Sequence, residues 1–277
     1  MNEQPRLSRR AAFSSVASGL VLGAVWGATF PIVASESRPS IAIVGHRGAQ
    51  LVLIDSGKAR ALVFLGDPDD RLIERIPSIM TLFRQRIDVI VGTKPVLERR
   101  AFDLKSRWSI EHAVAVHRSA IPPSLAMPAT VISDAASIDL GGEMTLRCTV
   151  GHRGEWLIGQ ESSSTPWSAR LTHPSGEVVF VPDAASLEAL GPVDAPLIVM
   201  PDPAPGHVQS WKTARAIAIN YDSDAAEENT SPTVAITRTY PQDIARFTFG
   251  NDGIELPAWT ESAGTSSRLA ISRVPKT

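Results

Sequence analysis

The sequence contains one cysteine in 277 residues, and this scarcity limits the chemistry that the chain can support. A single cysteine cannot form an internal disulfide, and it cannot supply the thiolate cluster of a zinc or iron–sulfur site. Cys148 lies in an alternating pattern of apolar and polar residues, which predicts a strand with a buried thiol rather than a nucleophile. Histidine is also scarce, with six residues, so the positions of these six decide which metal sites are conceivable.

Excess charge of either sign is absent too. The chain has 27 Lys and Arg against 29 Asp and Glu, which argues against a strongly basic nucleic-acid binder. Apolar residues make up 43% and charged residues 20%, a composition typical of a folded protein. The sequence has no phosphate-binding loop, no dinucleotide-binding glycine motif and no Gly-x-Ser-x-Gly nucleophile elbow.

Residues 1–34 have the composition of an export signal. Arg6, Arg9 and Arg10 form a basic start, and no charged residue occurs from residue 11 to residue 34. The start resembles a twin-arginine signal, and a small residue ends a suitable cleavage site at position 34. The general secretion route and an uncleaved membrane anchor are the alternatives, since about 20 apolar residues can span a bilayer. We expect a periplasmic, cell-envelope or extracellular protein that contacts a membrane only if this segment is retained.

We expect the remaining chain to form one domain over residues 35–260, followed by a mobile Ser- and Thr-rich tail over residues 261–277. Three β-branched runs separated by turn residues predict antiparallel strands near the start of the domain. Helical spacing predicts helices at residues 72–83 and 96–104, and a short helix opened by Asp183. The strands are predicted at residues 41–44, 51–54, 61–65, 88–91, 113–116, 130–132, 144–150, 156–158, 168–171, 178–181, 197–200, 216–219, 234–236, 246–249 and 254–256. Residues 221–232 are acidic and polar, which predicts a surface loop.

The order of these elements resembles the metallo-β-lactamase fold, and in particular the C-terminal domain of ComEC-type competence proteins. Residues 44–57 match the opening of that family, in which two strands joined by a glycine-containing turn end in Asp-x-Gly, here Asp55-Ser56-Gly57. Residues 168–183 resemble the hairpin that ends in a bridging aspartate, and residues 247–254 resemble the final hairpin. The resemblance implies an α+β fold, a four-layer αββα sandwich with two mixed sheets packed face to face and helices outside.

The resemblance also implies that the chemistry of the family is lost. In that family Thr-His-x-His-x-Asp-His follows the strand after the first helix and holds two zinc ions that share a hydroxide. The matching segment here is Thr93-Lys94-Pro95-Val96-Leu97-Glu98-Arg99, in which lysine, valine and arginine replace the histidines and glutamate replaces the aspartate. An ammonium, an alkyl group and a guanidinium offer no lone pair to Zn²⁺. The late histidine loop retains only His207, so we expect neither a metal nor a cofactor.

The remaining histidines lie where structural roles are common. His46 follows a glycine in a predicted turn, with a site role as the alternative. His112 and His117 flank one strand, and a separation of five residues places them on opposite faces, which does not suit one shared metal. His152 and His173 each begin a turn-like sequence, where we expect them to be exposed to solvent.

Five polar residues remain as candidates for a site, each with a structural alternative. Asp183 is either a helix N-cap or an acid, a base or a metal ligand. Lys94, Glu98 and Arg99 are either a salt-bridged patch in the former metal cavity or part of an anion-binding site. His207 lies in a proline-rich loop at the expected rim of that cavity.

The first functional hypothesis is a pseudoenzyme, a non-catalytic binding or interaction protein of the cell envelope. Its partner is an envelope protein or an anionic ligand near Lys94 and Arg99. The alternative is a hydrolase with a rebuilt site that uses Asp183, Glu98 and His207. Nucleic-acid binding rests on analogy with the competence domain alone and is disfavoured by the acidic net charge.

Overall fold

The structure, a computed structural model, describes eleven stretches of the chain. These are residues 38–46, 48–80, 86–117, 123–151, 165–183, 186–187, 197–201, 215–218, 235–237, 244–255 and 273–274. Several features predicted from the sequence lie outside the described residues. They are the export signal, the strand at 156–158, the loop at 221–232, His152, His207 and most of the tail.

In the described residues, sixteen strands form two sheets. The first sheet contains, in spatial order, β16 (Arg273–Val274), β15 (Gly253–Glu255), β14 (Ala245–Gly250), β1 (Ser40–His46), β2 (Ala49–Asp55), β3 (Arg60–Leu65), β4 (Arg86–Thr93), β5 (Ser109–Val116) and β6 (Ala129–Ile132). The second contains β13 (Ala235–Thr237), β12 (Arg215–Ala218), β11 (Leu197–Met200), β10 (Gly176–Phe180), β9 (Trp167–His173), β8 (Met144–Val150) and β7 (Ala135–Gly141). Both sheets combine parallel and antiparallel pairs.

Besides the helical residues 186 and 187, the described stretches contain three helices, and all three contribute to the core on the outer face of the first sheet. They are α1 (Asp70–Ile73), α2 (Ile76–Ile79) and α3 (Lys94–Arg107). The single helix predicted from residue 72 is interrupted, because Pro77 has no N–H to donate to the carbonyl of the preceding turn. None of the helices in the described stretches is long and apolar enough to cross a membrane.

Alternation along the central strands produces two apolar cores. Ile41 and Ile43 of β1 pack in the core between the sheets, whereas Ala42 and Val44 pack in the core beneath the helices. Strands β2 and β3 are likewise buried on both faces, as expected for strands covered by a sheet on one side and helices on the other. Cys148 lies in the core between the sheets and is fully buried, as predicted.

The predicted α+β sandwich of two mixed sheets is confirmed by this arrangement. Helices cover the first sheet, and in the described residues the region after β10 shows helix only at residues 186–187. Sequence reasoning missed β7, whose outward positions are exposed and whose side chains include serine and aspartate.

Candidate functional site

The parallel strands of both sheets end at the same end of the sandwich. Strands β3 to β6 are parallel, so their last residues share one end of the first sheet. Only two residues join β6 to β7, so β7 begins at that end, and the antiparallel order of β7 to β10 makes β8 and β10 terminate there. We call this the motif end, because Thr93 and Lys94 lie there. Asp183 lies there too, since it follows β10.

The Asp-x-Gly sequence lies at the opposite end of the first sheet. Strand β2 is antiparallel to β3, so Asp55 terminates β2 far from the motif end. The Asp55 carboxylate accepts hydrogen bonds from Gly57 N at 2.9 Å and from Arg60 Nε at 2.8 Å. The side chains of Asp55 and Arg60 are both buried. The resemblance carried by Asp55-Ser56-Gly57 therefore concerns a structural hairpin turn and brings no side chain towards Lys94.

The segment that matches the metal motif forms the first turns of α3. Helix α3 begins at Lys94, so Lys94 and Val96 are turned about 200° from each other around the helix axis. Val96 and Leu97 are buried in the core between the helices and the first sheet. Lys94 is half-buried, with its Nζ 3.9 Å from Oε1 of Glu98 one turn later. Positions 94 and 96 thus face different surroundings.

Both cations of this segment have a carboxylate partner. Arg99 Nη2 lies 2.7 Å from Oδ2 of Asp67, which follows β3 at the motif end. The Glu98 carboxylate that faces Lys94 also accepts a hydrogen bond from Ser124 N at 3.3 Å. The four charges therefore neutralise one another in pairs. Within the described ranges, no three His, Cys, Asp or Glu side chains come together as a group that could hold a metal ion.

Asp183 has the contacts of a helix N-cap. Its Oδ1 accepts a hydrogen bond from Ser186 N at 2.7 Å, the interaction that an N-cap residue makes with the first turn. Ser186 is itself fully buried, and its Oγ accepts a hydrogen bond from Trp167 N at 3.1 Å. Asp183 therefore fastens the segment after β10 to the beginning of β9.

The described histidines are separated from one another. His46 ends β1 and is largely buried, with Nδ1 2.8 Å from Oδ2 of Asp69, so it is not an exposed turn residue. His112 Nε2 lies 2.8 Å from Thr130 Oγ1 on the neighbouring strand β6. His117 follows β5, and alternation places it on the face opposite His112, as expected.

His173 ends β9 and differs from its expected place in an exposed loop. Its ring lies 4.8 Å from the ring of Phe249 in the other sheet, and its Nδ1 accepts a hydrogen bond from Ser175 N at 3.1 Å. It is therefore half-buried against the first sheet.

Burial raises the pKa of the Cys148 thiol to about 12, which leaves no nucleophilic thiolate near neutral pH.

Two polar groups at the motif end were missed by sequence reasoning. The side-chain amide of Gln50 and the indole Nε1–H of Trp167 are buried and have no hydrogen-bond partner within the described ranges. A signal for Gln50 is visible in the sequence. Gln50 shares the inward-facing positions of β2 with Val52 and Ile54, where a polar side chain breaks an apolar run.

Comparison with solved structures finds, among others, proteins described as having the metallo-β-lactamase fold or as metallo hydrolases. The metallo-β-lactamase fold protein YhfI from Bacillus subtilis is 11% identical, with a TM-score of 0.49 over 75% of this chain and 99% of that chain. Igni18, a metallo hydrolase from Ignicoccus hospitalis, is 9% identical, with a TM-score of 0.45 over 76% of this chain and 100% of that chain. A metallo-β-lactamase from Cronobacter sakazakii with a HARLDQ motif is 16% identical, with a TM-score of 0.34 over 51% of this chain and 58% of that chain.

No protein-family model matches the chain, and no curated protein matches it. The fold class therefore rests on the chain's own two sheets.

Proposed function

We propose that this chain is an exported, non-catalytic binding protein of the cell envelope, built on a metallo-β-lactamase-like fold whose zinc site has been lost. The observation that carries the proposal is the state of the segment 93–99. Lys94 pairs with Glu98 and Arg99 pairs with Asp67, while Val96 is buried in the core. Through these contacts, Val96 packs in the core and the charges of Lys94 and Arg99 are neutralised by carboxylates.

Export is the part of the proposal that rests on sequence alone. The test is the double substitution Arg9→Lys/Arg10→Lys. A twin-arginine signal depends on the arginine pair, whereas a general secretion signal tolerates any basic start. We expect the paired variant to remain in the cytoplasm while the unaltered chain is found outside it. Equal export of both chains would refute the twin-arginine route, and full-length protein in the membrane fraction would support an anchor instead.

The ligand expected from the sequence is an anion at Lys94 and Arg99. Because both cations face carboxylates, an anion must compete with Asp67 and Glu98 for them. The test is a calorimetric titration of the unaltered chain and of two double variants with inorganic phosphate. We expect the double variant Asp67→Asn/Glu98→Gln to bind phosphate more tightly than the unaltered chain, and Lys94→Met/Arg99→Met to lose binding.

Arg86→Met is the control for that titration, because Arg86 begins β4 at the opposite end of the sheet. Its phosphate affinity should equal that of the unaltered chain. An absence of phosphate binding even after Asp67 and Glu98 are neutralised would remove the anion from the proposal. Equal loss of binding in the Arg86 variant would show that phosphate binds through net charge and not at this site.

A further inference from the structure

The outer surface of the second sheet is polar on strands β7, β8 and β9. Leu146 of β8 and Leu171 of β9 pack in the core between the sheets, so the residues that alternate with them face away from that core. Strand pairing places nine outward residues in three rows, and none of the nine is buried. The rows are Ala135, Thr149 and Ser168; Ser137, Arg147 and Arg170; and Asp139, Thr145 and Thr172. We call these nine residues the outer polar face.

Two arginines lie side by side in the middle row of the outer polar face. Arg147 of β8 is directly opposite Arg170 of β9, which places their Cβ atoms about 5 Å apart. Both are exposed, and the side chain of Arg170 retains 44% of its accessible surface. Like charges opposite each other on neighbouring strands destabilise a sheet. An anion bound between the two guanidinium groups would reduce this repulsion.

Two carboxylates lie near the arginines, both in the third row. Glu177 of β10 is opposite Thr172 and forms an ion pair with Arg170. Asp139 ends the same row on β7, and its Oδ1 accepts a hydrogen bond from Gly141 N at 2.8 Å. The side of the arginine pair towards the first row, which ends nearer the motif end, is bordered by hydroxyl groups and not by carboxylates.

Hydroxyl groups flank the arginine pair in both neighbouring rows. Thr149 is opposite Ser168 in the first row, and Thr145 is opposite Thr172 in the third. Residues two positions apart along a strand are about 7 Å apart, so both hydroxyl pairs lie one row away from the guanidinium groups. Hydroxyls donate and accept hydrogen bonds, whereas guanidinium groups only donate. The outer polar face thus combines a charged centre with uncharged hydrogen-bonding groups on either side.

The composition of the outer polar face argues against several kinds of partner. It contains no aromatic side chain on which the bases of a single-stranded nucleic acid could stack. It contains no large apolar side chain, whereas protein interfaces have an apolar centre and membrane-binding helices insert apolar residues. A ligand that is polar along its whole length, with negative charges, remains.

We propose that the outer polar face binds an acidic polysaccharide, with a carboxylate of the sugar chain held between Arg147 and Arg170. Guanidinium groups bind carboxylates through paired N–H···O hydrogen bonds, and the threonine and serine hydroxyls complement the hydroxyls of the sugars. This inference goes beyond the anion proposed at Lys94 and Arg99, since it concerns the other sheet and does not depend on the segment 93–99.

The test is a calorimetric titration of the protein with an oligogalacturonate of six sugars, each of which carries a carboxylate. The matched ligand is the fully methyl-esterified oligomer, which has the same sugar backbone without the charges. We expect the acid to bind and the ester to bind about tenfold or more weakly. Added salt should weaken the binding of the acid, because the arginines are exposed to solvent.

Variants locate the binding on the protein. We expect Arg147→Met/Arg170→Met to lose the oligogalacturonate and Glu177→Gln to bind it more tightly, because Arg170 is then released from its ion pair. The control is Arg86→Met/Arg107→Met, which removes two exposed arginines from β4 and α3 and changes the net charge equally. The control variant should bind as the unaltered chain does. Urea unfolding verifies that each variant is folded, and should the Arg147/Arg170 variant fail to fold, Glu177→Gln and the two ligands still decide.

Several results would overturn the proposal. They are an absence of oligogalacturonate binding, equal binding by the folded Arg147/Arg170 variant, and an equal loss of binding in the control variant. Hexaglutamate and hexathymidylate are titrated as acidic ligands of other classes. If either binds as tightly as the oligogalacturonate, an acidic protein segment or a nucleic acid replaces the polysaccharide and the proposal is wrong.

The outcomes also separate this inference from the proposed function. A zinc-free, inactive protein that does not bind the oligogalacturonate overturns the polysaccharide site and leaves the loss of the zinc site intact. A protein with stoichiometric zinc and hydrolytic activity overturns the proposed function, whereas the polysaccharide site is still decided by the titration.

Discussion

At the scale of single residues, a buried ion pair holds the β2–β3 turn. Arg60 donates through Nε and Nη2 to Oδ2 of Asp55 at 2.8 and 2.7 Å, and the two side chains are 5% and 11% exposed. Arg60→Met leaves the Asp55 carboxylate buried and unpaired, so we expect a loss of about 3–5 kcal/mol in the free energy of unfolding, measured in urea.

Two further variants make that measurement specific. Asp55→Leu combined with Arg60→Met removes both charges and should cost less than Arg60→Met alone. Arg86→Met should change stability little, because the Arg86 side chain is 60% exposed. An Arg60→Met protein as stable as the unaltered chain would contradict the burial of this pair.

The Cys148 thiol provides a prediction about reactivity and pH. Burial raises its pKa from 9.0 to about 12, so the folded protein keeps the thiol protonated where the unfolded chain ionises. Its contribution to stability is therefore complete below pH 9 and declines as the pH rises towards 12. We expect stability to fall more steeply in this interval for the unaltered chain than for Cys148→Ala, measured by urea unfolding at each pH.

The same burial predicts that iodoacetamide labels Cys148 at pH 8 only after denaturant is added, since the thiolate is the reactive form. Rapid labelling of the native protein would show that the Cys148 thiol is accessible to solvent and not buried in the core.

Two substitutions of Asp183 distinguish its role as a helix N-cap from a role as a catalytic carboxylate. An asparagine caps a helix about as well as an aspartate does, whereas alanine cannot. We expect Asp183→Ala to lower the free energy of unfolding by about 0.5–2 kcal/mol and Asp183→Asn to preserve most of it. A phosphoesterase, esterase or lactamase activity that both substitutions abolish would favour the rebuilt hydrolase site instead.

At the scale of elements, the β7–β8 turn packs closely against the β2–β3 turn of the other sheet. Gly142 has φ +59°, and a Cβ there would lie 2.8 Å from the Ser56 carbonyl oxygen. The hydroxyl of Ser56 donates to the Leu140 carbonyl at 2.6 Å, so this turn joins the two sheets. Gly142→Ala must strain the backbone and push this contact apart.

We expect Gly142→Ala to cost at least about 1–2 kcal/mol of stability in thermal or urea unfolding. The matched control is the next residue, Glu143, which has φ +65° with a side chain already present. Glu143→Gly should be neutral or stabilising, because it relieves the left-handed conformation. Equal destabilisation by both substitutions would indicate a general sensitivity of the turn and not the contact with Ser56.

Local pattern predicted most elements because burial follows strand and helix periodicity. The central strands and α3 were predicted with boundaries that differ by a few residues. The helix from residue 72 was predicted too long, since apolar spacing continues across Pro77 although the hydrogen-bond ladder cannot. Strand β7 was missed because half of its residues face water and its partner β8 alone defines its pairing.

At the scale of the whole molecule, the candidate site could be predicted only in part. The sequence shows which side chains occupy the positions that the resemblance assigns to metal ligands, and that comparison needs no coordinates. It does not show that Asp55 and Lys94 lie at opposite ends of a sheet, because this depends on the parallel pairing of β4 with β3, which the pattern of neither strand reveals. Nor could local pattern pair Arg99 with Asp67, since the two approach through the packing of α3 over the loop after β3.

We propose that this chain has no metal site, and zinc analysis of the purified protein together with a hydrolase screen is the direct test of that proposal. The paired charges around α3 and the buried Val96 predict zinc far below one ion per chain, with no phosphoesterase, esterase or lactamase activity. About two zinc ions per chain together with hydrolysis of any of these substrates would show that the protein has a working metal site after all.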